Sequence, residues 1–247
     1  MSTLQDNNSN VIAWLVPTAR NTLADKATNL SANTANAIST SSSTYLSAQL
    51  SNLSGSKPQR AIQLSFAQEP LRPGSFVLGT DTNCCDVVLP KLPGISKQHC
   101  AISFDAQYRL ILDDFSESGT QVWYDWESNG DQRDYSWILS SGVYETGFPA
   151  MFQRVIIDIH GVRFQLVVND HSADWEGYKA KVDEFSQNSP GVDCLTASSA
   201  WECEQAWYTQ QPLIQHIFVK AQGGEPLGDV YLWNTSRPWD PMVKASA

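Results

Sequence analysis

The stretch GISKQHCAISF, Gly94 to Phe104, followed closely by LDDFSESGTQVWYD, Leu112 to Asp125, decides the fold class. Each piece joins turn residues (Gly94 and Ser96, then Ser116 to Gly119) to a run of β-branched and aromatic residues, the composition of a short strand beside a tight loop. Working outward, the same pattern recurs from Ile62 to Val168. The predicted strands are IQLSF, SFVLG, DVVLP, HCAISFD, YRLILDD, TQVWYD, YSWILSS, RVIIDI and VRFQLVV. The last two flank His160 and Gly161, a two-residue connection typical of a hairpin. No long amphipathic helix interrupts the series, so residues 58–169 read as an all-β, antiparallel sandwich.

Within it, Gly79-Thr80, CDVVLP (Cys85 to Pro90), the Ser96-Lys97-Gln98-His99 loop and Ser118-Gly119-Thr120 follow in a fixed order. This series resembles the forkhead-associated (FHA) family. There a Gly-Arg ends one strand, Asp-Ile/Val-x-Leu-Pro forms another, and a Ser-Arg/Lys-x-His loop and an Asn-Gly-Thr turn complete the set. The resemblance implies an FHA-type β-sandwich whose loops at one end grip a phosphothreonine peptide. It implies that Ser96 donates its hydroxyl to the phosphate, that Lys97 adds charge, that His99 braces the loop, and that Gly79, Gly119 and Thr120 are structural. Two ligand positions depart from the family: Thr80 stands where an arginine is expected and Ser118 where an asparagine is. Lys91, in the same loop as Ser96, is a further electrostatic candidate from position alone. A phosphate recognised this way needs hydroxyl, amide and cationic donors on rigid loops, so the loss of an arginine implies a degenerate pocket.

Composition bounds the rest. The 247 residues carry 26 Asp+Glu against 16 Lys+Arg, a formal charge of −10, which argues against a nucleic-acid partner held through backbone phosphates. No stretch is long and apolar enough to span a bilayer, so no membrane partner is expected. The five cysteines lack C-x-x-C spacing and histidine partners, so neither a metal site nor a disulfide framework is indicated. With no secretory leader, an intracellular setting, cytoplasm or nucleus, is expected.

The acidic charge is uneven. Residues 1–57 contain 26 Ser, Thr and Asn and only five charged residues, a composition that predicts a mostly disordered arm. Within it VIAWLV, Val11 to Val16, reads either as a strand or docking motif or as a weakly ordered apolar patch. Residues 170–211 read as an acidic linker with one short helix near Trp175 to Phe185. The last segment, 212–247, has β character and resembles the opening of a protein-kinase domain, truncated in its glycine-rich loop region. Gly223, Gly228 and Val230 fit that loop, Glu225 replaces its middle glycine, and Lys244 lies near the position of the ATP-anchoring lysine. The catalytic Asp and Asn of a kinase would come later. The expected function is therefore a non-catalytic phosphothreonine- or protein-binding signalling module, with no catalytic residues and no cofactor. The alternatives are a fragment of an ATP- and Mg-dependent Ser/Thr kinase and a purely structural docking sandwich.

Overall fold

Alternating apolar residues give short strands, and two faces of such strands can be buried only by packing sheet on sheet. In the computed structural model, which describes residues 8–52, 57–141 and 154–187, this happens in one of the chain's two units, residues 1–125 with 130–190. The other unit comprises 126–129 and 191–247. The kinase-like positions Gly223, Gly228, Val230 and Lys244 lie outside the described residues.

The strands are β1 (Val11–Pro17), β2 (Ala37–Ser39), β3 (Arg60–Ser65), β4 (Phe76–Gly79), β5 (Val87–Val88) and β6 (Cys100–Phe104), then β7 (Leu110–Asp114), β8 (Gln121–Tyr124), β9 (Ser136–Ile138), β10 (Val155–Ile159) and β11 (Val162–Val168). One sheet has the order β2-β3-β1-β11-β10-β8 and the other β5-β4-β6-β7-β9. Pairing is antiparallel except between β4 and β5. The β10–β11 hairpin turns at His160 and Gly161, both with positive φ (47° and 88°), the geometry that matches the right-handed strand twist. Leu15, Ile62, Ile157 and Phe164 from the first sheet, and Leu78, Ile102, Leu112 and Trp137 from the second, are fully buried. The Tyr124 hydroxyl on β8 donates to the Ile138 carbonyl on β9, linking the sheets at 2.7 Å.

Two predicted boundaries are corrected. Residues 8–52 are not a disordered arm: β1 lies inside the six-stranded sheet, paired with β11 on one side and β3 on the other. All seven β1 residues are buried, which explains the unbroken apolar run. Leu15 faces the sandwich interior, while Trp14 and Val16 face a second cluster with Leu46 and Leu50. Those two come from α2 (Thr44–Gln49) and the residue after it. The Ser/Thr/Asn content serves structure. Thr22 caps α1 (Leu23–Thr28) and Ser43 caps α2, each accepting a backbone N–H, as side-chain oxygens do at helix starts. Asn33, fully buried, donates its amide to the carbonyls of Ala27 and Val88 and accepts the Val88 N–H. It thereby completes the edge of the two-residue strand β5.

The second correction concerns the acidic segment from 170. Trp175–Gln187 forms α3, which buries Tyr178, Val182 and Phe185 on one face. Phe185 meets Phe66, Phe76 and Phe104, and the Tyr178 hydroxyl donates to the Tyr108 carbonyl. This segment therefore closes the end of the sandwich at which β6 terminates, leaving the end at which β6 begins for the loops described next. The remainder of the acidic segment, from 188, lies outside the described residues.

Candidate functional site

Three loops converge where β4 ends, β6 begins and β7 gives way to β8. The contact between the first two is close. A Cβ on Gly79 would stand 2.2 Å from the Lys97 carbonyl oxygen, so only glycine permits the β4 backbone to lie against the Ser96 loop. That contact is held by Thr80 N–H donating to the Ser96 carbonyl at 3.1 Å and Asp81 N–H to the Lys97 carbonyl at 3.1 Å. The Cys85 thiol donates to the same Lys97 carbonyl, and burial pushes its pKa up to about 11, so the donor proton is retained.

Thr80 does not present its hydroxyl to solvent. Its side chain is buried and the hydroxyl is directed at the Ser96 carbonyl, 3.3 Å away. The position predicted to lack a phosphate-gripping arginine is therefore a tie between loops, with its donor already engaged.

His99 is fully buried at the start of β6. Its Nδ1 accepts the Ser96 N–H at 3.1 Å. Nδ1 must then carry no proton, so the imidazole is the Nε2–H tautomer and Nε2 donates to the Gly119 carbonyl at 3.2 Å. Burial, partly offset by the Asp114 carboxylate, holds its pKa below the ordinary histidine value. One neutral ring thus fixes the Ser96 loop to the Gly119 turn without reaching the surface.

The turn itself is built around Asp114, which sequence reasoning did not single out. Its carboxylate accepts from the Ser116 hydroxyl at 2.8 Å, the Thr120 hydroxyl at 2.7 Å, and the backbone N–H groups of Ser116 and Asp134. Ser116 Oγ in turn accepts the Gly119 N–H. Gly119 has φ +90° and a Cβ there would stand 2.9 Å from the Gln132 carbonyl, so both the left-handed backbone and the close approach call for glycine. The Leu-Asp-Asp strand end was visible in the sequence. What hid the role of Asp114 is that an aspartate ending a strand reads as a solvated turn former.

Ser96 stands at the centre, half-exposed. Its Oγ accepts the Glu117 N–H at 3.4 Å, which aims the hydroxyl while leaving its own proton uncommitted. Lys97, its chain neighbour, and Lys91 are exposed. Both contribute, after the Asn83 N–H and Cys84, to holding the exposed Asp81 carboxyl below its ordinary range. Ser118 is half-exposed in the Gly119 turn. The arrangement brings one free hydroxyl and two ammonium groups to a rim that also bears the carboxylates of Asp81 and Glu117. It can bind an anion through Ser96 and the lysines, against repulsion from the two acids. Among the described residues no group of His, Cys, Asp and Glu is suited to hold a metal ion.

Comparison with known proteins gives a family-model match to the FHA domain over residues 76–143. No curated protein matches the chain. Solved structures similar to it include the MEK1 FHA domain in complex with a HOP1 phosphothreonine peptide, 22% identical over 44% of this chain and 89% of that one, TM-score 0.29. The FHA domain of CT664 from Chlamydia trachomatis is 20% identical over 44% of this chain and 86% of its own, TM-score 0.29. The N-terminal FHA domain of S. cerevisiae Rad53p, in complex with a phosphothreonine peptide, is 17% identical over 46% and 72%, TM-score 0.28.

Proposed function

Because the chain contains a forkhead-associated domain at residues 76–143, we propose that it is a non-catalytic recognition module for phosphothreonine-bearing protein segments, with a weakened phosphate pocket. The observation that carries this reading is the Ser96 hydroxyl, held by the Glu117 N–H with its own proton free, with Lys97 next to it in the chain and Lys97 and Lys91 both acting on the nearby Asp81 carboxylate. Two of the similar FHA structures are complexes with phosphothreonine peptides, which supports the ligand class.

The pocket is weakened for a physical reason. A guanidinium offers a permanently charged fork of donors, and each hydrogen bond to a charged group contributes roughly 1.5–3 kcal/mol. Thr80 supplies none of this, since its hydroxyl is engaged with the Ser96 carbonyl. The Asp81 and Glu117 carboxylates further oppose a dianion, and Lys91 and Lys97 offset them.

The test is titration of the full chain with phosphothreonine peptides beside their unphosphorylated twins. Phosphate-dependent binding is expected, weakened by about tenfold in Ser96→Ala and strengthened by a similar factor in Thr80→Arg. Equal binding of both peptide forms would mean docking without phosphate recognition and would overturn the reading.

A further inference from the structure

A second group of cations lies apart from the Ser96 loops. Arg20 follows the end of β1, Arg60 opens β3, and Lys57 precedes it. With Ser39, Thr40 and Ser47 they line a cleft of about 620 Å³ beside the edge strand β2. None of the residues that form the Ser96 site lines it. The two guanidinium groups are anchored by neutral acceptors. Arg20 Nε donates to the Lys57 carbonyl at 2.6 Å. Arg60 donates to the Asn29 side-chain oxygen at 3.3 Å and to the Ala37 carbonyl at 3.4 Å. These bonds set the direction of each group and leave further N–H donors unused, including all four terminal ones of Arg20.

The charge balance makes the cleft unusual. In a chain with ten more acids than bases, cations find carboxylates easily, as Arg109 does with Asp105, Arg163 with Asp158 and Lys179 with Glu176. Arg20, Lys57 and Arg60 form no such pair among the described residues. No carboxylate is among the described lining residues. Three cations without a carboxylate partner on one concave surface add up to a local positive potential.

We propose that this cleft is a second anion site, independent of the Ser96 loops, and that it takes a phosphate group carried on a peptide side chain. Two forked guanidinium groups, an ammonium and hydroxyls suit the several acceptor oxygens and near-double charge of a phosphate monoester. Two features favour a peptide as its carrier. The net charge of −10 opposes approach to a membrane or nucleic acid. In addition, β2 pairs only with β3 among the described residues, so the backbone N–H groups on its outer side face the path of an extended segment, while the Ala37 and Ser39 carbonyls are already bonded to Arg60 and Ser42.

The experiment uses the full ¹⁵N-labelled chain carrying Ser96→Ala, which removes the first site's hydroxyl, and four probes: inorganic phosphate, a phosphothreonine peptide, its unphosphorylated twin, and phosphatidylcholine vesicles containing a phosphoinositide. The phosphopeptide is expected to shift the Ser39–Ser41 amides and the Arg20 Nε–H signal, while the unphosphorylated twin leaves them in place. Its affinity is expected to fall on the order of tenfold in Arg20→Ala/Arg60→Ala. Lys57→Glu, at an exposed position outside the strands, should give the same loss without a change in melting temperature. Unchanged affinity in both variants would overturn the proposal, as would shifts from vesicles or inorganic phosphate that the phosphopeptide does not produce. In the chain with Ser96 intact, absence of phosphate-dependent shifts at the Ser96 loops beside unchanged cleft signals would remove only the first reading.

Discussion

The Ser96 loops and the N-terminal segment 8–52 are held together over very different lengths of chain. In the loops, Thr80 bonds a partner 16 positions away, Ser96 meets Glu117 at 21, and His99 meets Gly119 at 20. The N-terminal segment finds its partners much further off. Tyr45 donates to the Val168 carbonyl 123 positions away, and Val11 accepts from His171 at 160. Short-range partners leave a spacing that can be read along the chain. Long-range partners leave none, and the same polar composition serves equally well for a free arm and for capped helices wrapped on a sheet.

Trp14 separates a packed segment from a free arm by the largest effect. Were the segment only an arm, Trp14→Ala would be neutral. As a buried residue of an interior strand, stacked on Tyr45 at 5.9 Å between centroids, it is expected to destabilise by about 3–5 kcal/mol in urea unfolding. A loss below 1 kcal/mol would return the segment to the periphery of the fold.

Asn33 tests the join between the two regions, since it carries the N-terminal segment onto β5. Asn33→Ala leaves the Val88 N–H and carbonyl unsatisfied in the interior and should cost roughly 2–3 kcal/mol. Amide exchange at Val88 should accelerate in the variant. Unchanged exchange would show that β5 holds its own edge.

The smallest effect is with pH. Burial lowers the pKa of His99, in the loop region, and of His171, which bonds the start of β1, below the ordinary 6.5. The unfolded chain then binds protons first as pH falls, so this stability is complete above 6.5 and is lost as pH drops through the folded-state values below it. Asp86 and Asp113 act in the opposite sense. Their pKa values are raised by burial above 3.8, so they add stability on acidification. Urea midpoints measured on both sides of pH 6.5 should fall on the acid side. A midpoint that rises there would contradict the burial of both rings.

Much of the sandwich was legible because strand periodicity is local. All nine predicted strands from Ile62 to Val168 form, and the His160-Gly161 turn has the backbone its two residues suggest. Gly79, Ser96, His99 and Gly119 were legible as a set because their order reflects loops that touch. Asp114 was not, because three of its donors come from a turn that folds back on it and the fourth from Asp134, 20 positions on. In the sequence Thr80 marks only the absence of an arginine, while the packed structure turns its hydroxyl to the Ser96 carbonyl.

By itself, then, the sequence determined the strand pattern, the turns and the order of the residues at the loop end, all consequences of residue choice over a few positions. Tertiary structure alone decided that VIAWLVP is an interior strand, that Asn33 closes β5, and that Arg20, Lys57 and Arg60 meet in one cleft. Each of these depends on which distant backbone or charge stands opposite, and residues 20 and 60 become neighbours only when β1 and β3 pair in register.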